Sequence, residues 1–373
     1  MKTKRHQFLL GAGIKVILLV TILVTMVIFN FNKSNTNASS RLDFSQKQLL
    51  LLNNYEYLAN SAELIPIKDN INSLKTDGQI DKSKIELTAS GIRPSDMVSM
   101  LKTIEEDSLL SDLVPVDSIE TDIRAVCYVP KNKLRAWKPE AVLVFLGTKP
   151  IENAWLDCLQ GSYQTDTALQ QEALNFYLKL SKKYKITTVT GHSKGGNLSQ
   201  YITLTNGDNI RNCVSFDGQG FSDIFIEKYN DSIQKHSAKI TTIASYKEPV
   251  HMLLTDLSGE TLNIKTNDEV NPLTSHVSSI LYDESYFDEN GNYKEELFTE
   301  PTKLIQNVQS ATNKILNTLD KEQIENITTN AAPYITSVVT LLQEAMEHED
   351  ESLFKAIFKE LQERNEDTNH PNK

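Results

Sequence analysis

Five consecutive β-branched residues, Ile186-Thr187-Thr188-Val189-Thr190, run into Gly191-His192-Ser193-Lys194-Gly195-Gly196-Asn197, and Leu198, Tyr201 and Ile202 follow at helical spacing. β-branched side chains favour a strand. The sequence therefore demands a strand, a sharp turn and a helix within about a dozen residues, with one serine at the apex. Such a turn holds the serine in a strained backbone conformation, and residues two before and two after must be small for it to close. Gly191 and Gly195 occupy those positions. The Lys194 N–H, first in the helix, faces the space before the hydroxyl, where the helix dipole favours negative charge.

The flanking segments predict an α/β core. Ala141 to Leu146 is a continuous apolar run, read as a strand buried on both faces. A helix follows with Leu169, Ala173, Phe176 and Leu180 on one side, and short strands are expected at Cys213–Phe216, Ile240–Ala244 and Leu262–Lys265. This alternation implies a largely parallel sheet. Earlier, Leu42, Leu49, Leu50, Leu52 and Tyr55 to Leu58 suggest a first helix, then a polar, turn-prone stretch reaches Pro94, beyond which Met97, Leu101 and Ile104 keep helical spacing. After residue 300, three amphipathic helices are expected: Leu304, Val308, Ala311, Ile315 and Leu319; Ile335 to Ala345; and Leu353, Ile357 and Leu361. They are expected to pack as a bundle or on the core, with partner or membrane-surface binding as the alternative. Their acidic residues argue against anionic lipid. The charged end from Arg364 is expected to be disordered.

Lys2, Lys4, Arg5 and His6 precede an apolar stretch from Phe8 to Phe29 in which Lys15 is the only charge. Its length suits a bilayer span, and the basic residues before it place the rest of the chain outside the cytoplasm. It is either a retained anchor or a signal peptide cleaved after Ala38. The domains expected are thus 1–40 (stub, span 8–29 and linker), 41–300 (the α/β domain) and 301–373 (a helical region). The net charge of −11 and the lack of a long basic tract argue against nucleic acid. Cys127, Cys158 and Cys213 show no CxxC spacing, so no structural zinc site is expected and one disulfide stays open. No dinucleotide fingerprint or phosphate loop occurs, and no cofactor or metal is expected.

Gly191 to Leu198 resembles the G-H-S-x-G-G elbow of the class 3 lipases, most closely that of their bacterial α/β-hydrolase relatives of unassigned substrate. Val144-Phe145-Leu146-Gly147-Thr148, with Trp155-Leu156-Asp157 after it, is similar to the F-R-G-T strand end of that family. Cys213 to Phe221 resembles its F-D-G-x-G-F loop, and Tyr246-Lys247-Glu248-Pro249-Val250 its D-P-V-P segment. The likeness covers residues 42–293. It implies Ser193 as nucleophile, Glu248 as acid, and the N–H groups of Thr148 and Lys194 as oxyanion donors, acting on a lipid or other acyl ester. Glu248 stands where those lipases carry Asp, and Asp217 is the alternative acid. Lys194 replaces a leucine, and its side chain is expected to project outward.

Seven histidines offer the base. His6, His348 and His370 lie away from any strand end, His192 is expected to turn from Ser193 into packing or hydrogen bonding at the loop, and His236, in a polar stretch, reads as solvated. His276 follows the last expected strand and completes the order serine, acid, histidine. His251, the alternative base, lies three residues from Glu248, which reads as too near for the two to pair. The function expected is a membrane-anchored or secreted serine ester hydrolase. The alternatives are a degenerate hydrolase fold serving as an anchored binding or assembly module, or the same site used on thioesters or in an antibacterial lipase effector.

Overall fold

The computed structural model describes residues 41–310, apart from 60, 62, 89–90, 148–156, 159, 268–273, 304 and 308. The amino-terminal span, Thr148 and most of the carboxyl-terminal helices lie outside the described residues. The chain divides into two compact units, Met1–Leu42 and Asp43–Lys373. Among the described residues no helix is long and apolar enough to cross a membrane.

The second unit is built on one seven-stranded sheet. Its strands, β3 (Leu113–Glu120), β4 (Arg124–Pro130), β5 (Glu140–Phe145), β6 (Lys185–His192), β7 (Asn212–Phe216), β8 (Ile240–Ser245) and β9 (Glu260–Ile264), lie side by side in chain order. β3, β4 and β5 pair antiparallel, and β5 to β9 pair parallel. The sheet is therefore mixed. Its two antiparallel strands at one edge were not expected from the sequence. A two-residue hairpin, β1 (Lys75–Thr76) and β2 (Gln79–Ile80), stands apart.

Strand pleat sorts the apolar runs between two faces. Ala125, Cys127 and Val129 from β4 and Ala141, Leu143 and Phe145 from β5 join one core with α4 (Ala168–Ser181) and α5 (Lys194–Asn206), and Phe225 adds α6 (Asp223–His236). The opposite face is covered by α1 (Gln46–Tyr55), with α3 (Pro94–Glu106) packed against it. α1 starts in a capping box, the Ser45 side chain accepting from Gln48 N and the Gln48 side chain from Ser45 N. It ends at Tyr55, short of the expected Leu58, because Leu58 bridges to Leu87 instead. The polar stretch before Pro94 holds a further helix, α2 (Ile67–Ser73), where Ile67 and Ile71 at i, i+4 supply the buried side. Cys127, Cys158 and Cys213 are all free thiols.

Candidate active site

The strand-to-helix turn at Ser193 lies at the carboxyl end of β6, where open parallel sheets place their sites. Ser193 has φ 56° and ψ −124°, a conformation that costs a non-glycine residue a few kcal/mol, about 1–3. Closure needs both flanking glycines. A Cβ on Gly191 would collide with the Gly195 carbonyl, and one on Gly195 with that of Phe145. The Lys194 N–H opens α5, so no intrahelical carbonyl accepts from it.

His276, in a short 3₁₀ turn, brings Nε2 to 2.8 Å from Ser193 Oγ. Its Nδ1 lies 2.8 Å from Glu248 Oε1. A carboxylate only accepts, so Nδ1 carries the proton and Nε2 is left to accept from the serine. Glu248 is fully buried in the turn after β8 and accepts four hydrogen bonds: from Val250 N (2.5 Å), His251 N (2.9 Å), His251 Nδ1 (2.8 Å) and His276 Nδ1. Burial alone would raise its pKa, but the His276 charge and the hydrogen bonds from His251 and His276 hold it well below the usual carboxylate range. Burial would likewise lower the His276 pKa, and the Glu248 carboxylate outweighs it and raises it.

Three placements correct the sequence reading. His251 does pair with Glu248, because the chain turns at Pro249 and an i, i+3 contact closes across that turn, while the hydrogen bond with Ser193 is made by His276. Lys194 does not project outward. Its side chain is buried, and Nζ pairs with Asp157 and lies 3.0 Å from Asn197 Oδ1. Asn197 in turn accepts from Gln170 and donates to the Gln219 carbonyl. This network ties the nucleophile turn to Asp157, just after the segment that carries Thr148. His236 is also buried, not solvated, with its ring over Gly207 and Nε2 3.2 Å from Asp208.

Asp217, at the end of β7, does not reach the outer nitrogen of His276. It is buried, accepts from Ser245 N, and stands 3.6 Å from His192 Nε2. Burial raises its pKa, with the neighbouring His192 opposing and the Glu248 charge adding to the rise. His192 donates from Nε2 to the His276 carbonyl at 3.0 Å, which leaves its Nδ1 to accept from the Tyr57 hydroxyl at 2.6 Å. Burial keeps that imidazole neutral, lowering its pKa against the pull of Asp217. Ser278 Oγ, two residues beyond His276, donates to Asn54 Oδ1 at 2.7 Å. Tyr57 and Asn54 thus steady the turn that bears His276. Sequence reading missed both; the one hint is a pair of asparagines at the end of a leucine-rich helix.

His192, Asp217 and His276 each bring a ligand atom within 4.8 Å of the others. They do not suit a metal. Both nitrogens of each histidine are engaged in hydrogen bonds, leaving Asp217 as the lone donor to an ion.

The fold and site together define an α/β protein with a serine–histidine–glutamate array at the carboxyl edge of its parallel strands. A family model described as Mbeg1-like matches residues 119–332, more than half of the chain. The protein belongs to the Mbeg1-like family. Among curated proteins none matches it. Among solved structures it is similar to an M37 lipase, with 14% identity over 56% of this chain and 69% of that one and a TM-score of 0.29. It is also similar to an acylaminoacyl peptidase of Pyrococcus horikoshii, with 15% identity over 37% of this chain and a TM-score of 0.23, and spans 32% of that protein. Likenesses so distant carry no conclusion about activity.

Proposed function

We propose that this chain is a serine ester hydrolase working through an acyl-Ser193 intermediate. The observation that carries the reading is the unbroken line from Ser193 Oγ through His276 Nε2 and Nδ1 to Glu248 Oε1, 2.8 Å at each step, with the serine held on a strained turn. Ser193 Oγ attacks the ester carbonyl as His276 takes its proton. Glu248 stabilises the imidazolium so formed, and the alcohol leaves with that proton. Water, activated by the same histidine, then releases the acid. The Lys194 N–H stabilises the oxyanion, and Thr148 is the second donor in this reading. The substrate is a lipid or another acyl ester, and no cofactor takes part.

The basic residues before Phe8–Phe29 support an extracytoplasmic site, on a chain anchored by that segment or released by cleavage near Ala38. A fluorophosphonate probe tests the chemistry directly. It is expected to label the wild-type chain and not Ser193→Ala, with loss of short-chain ester hydrolysis in the variant. A folded wild type that neither reacts nor hydrolyses esters would instead make the fold a binding module.

A further inference from the structure

The turn joining β4 to β5 is unlike the rest of this acidic chain. Lys131-Asn132-Lys133-Leu134-Arg135-Ala136-Trp137-Lys138 carries four basic residues and no acidic one, in a protein of net charge −11. Trp137 is 97% exposed and Leu134 42% exposed. The turn is ordered by its own backbone, with Lys131 N donating to the Asp112 carbonyl, Leu134 N to Lys131, and Ala136 N to Lys133. None of the four basic side chains forms an ion pair among the described residues. The next turn along the sheet adds exposed Lys182 and Lys183, and Lys185 N donates to the Pro139 carbonyl, stitching the two turns together. Glu140, the next acid along the chain, is committed to Arg211 and Lys185, and Asp112, whose carbonyl accepts from Lys131 N, flanks the turn on its other side.

We propose that this turn docks the domain on an anionic lipid surface, Trp137 and Leu134 entering the interface while Lys131, Lys133, Arg135 and Lys138 meet the headgroups. An exposed indole flanked by cations suits the boundary between hydrocarbon and headgroup. The place of the turn in the fold supports a bilayer over a soluble polyanion. It lies at the amino edge of the parallel strands, and Asp43, the first residue of this unit, lies there too, 3.6 Å from Arg211 just ahead of β7. The apolar segment Phe8–Phe29 ends only a short linker before Asp43, and an extended chain of that length spans at most about 50 Å. Ser193 lies at the other end of β6, about 23 Å of strand away. A domain docked in this way holds the serine turned from the bilayer, so substrate reaches it from the aqueous side. The proposal rests on this end of the sheet and on the reading of Phe8–Phe29 as a membrane anchor, and not on the catalytic reading.

The test is Trp137 fluorescence in the full chain, reconstituted into vesicles whose acyl chains are brominated. Trp137→Phe supplies the contribution of Trp155 to be subtracted. In equimolar phosphatidylglycerol and phosphatidylcholine, Trp137 emission should shift to the blue, be quenched, and return towards its aqueous position in high salt. Each basic residue near such a surface contributes about a fivefold factor, so Lys131→Gln/Lys133→Gln/Arg135→Gln should lower the docked-to-undocked ratio about a hundredfold. Three outcomes would overturn the proposal: unquenched Trp137 in the anionic vesicles, equal quenching in phosphatidylcholine alone, or an emission change caused by soluble polyphosphate or DNA but not by vesicles.

Discussion

Glu248→Gln probes the heart of the site. The carboxylate accepts from four N–H donors, two on each oxygen; three of the hydrogen bonds are buried and the one from His276 is part-buried. An amide of the same shape has one accepting oxygen. Whichever way it turns, its NH₂ faces two N–H groups, either Val250 N with His276 Nδ1 or His251 N with His251 Nδ1. Two charge-assisted hydrogen bonds are lost, a stability cost of about 3 kcal/mol that a chain of this size tolerates. The larger effect is on the reaction. Without the negative charge the His276 imidazolium loses its partner, and amide replacement of a triad acid costs about 10⁴ in kcat, or roughly 5.5 kcal/mol of barrier. The assay is kcat and KM for a short-chain aryl ester at pH 8, with a thermal melt to show that the variant is folded. KM should change little. A folded variant within tenfold of wild-type kcat, or an Asp217→Asn variant that loses more, would refute the assignment of the acid.

Two other outcomes follow from the same geometry. His276 must be neutral to accept the serine proton, and its pKa is raised by Glu248, so activity should fall as pH drops through that raised value. The acid limb of kcat/KM should then lie above the ordinary imidazole value of about 6.5; a limb below it would contradict the coupling. Lys194→Met strands a buried Asp157 carboxylate and should destabilise the chain by about 3–5 kcal/mol, while Lys194→Met/Asp157→Leu should recover most of the loss in a thermal melt.

What the sequence discloses depends on how local the cause is. The strained turn at Ser193 is readable because glycine spacing, β-branched residues and helical periodicity all sit within one short segment. The five parallel strands are readable as compact apolar runs. β3 is not, since Pro115 and Asp117 interrupt its pattern at a shift in register with β4. The burial of Lys194 is illegible for a different reason. A lysine in a first helical turn ordinarily reaches water, and it is the distant Asp157, joined by Asn197 one turn on, that makes its burial tenable. His251 was misjudged because strand spacing separates residues i and i+3, whereas the turn at Pro249 folds them together. The nearness of Glu248 to His276 was suggested by the likeness to a D-P-V-P segment, not by residue type.

The contacts that steady His276 also set when, during synthesis, the site can come into being. Tyr57 meets His192 across 135 positions of chain, Ser278 meets Asn54 across 224, and His276 meets Ser193 across 83. Such separations make closure late, since the entropy of long loops must be lost before their contacts repay it. The helix after the serine can form once residue 206 has emerged, and Ser193 N gains its acceptor with Phe216, yet the histidine placed against the serine is still unmade. A nascent chain therefore carries a serine without its histidine, and only the finished domain joins the two.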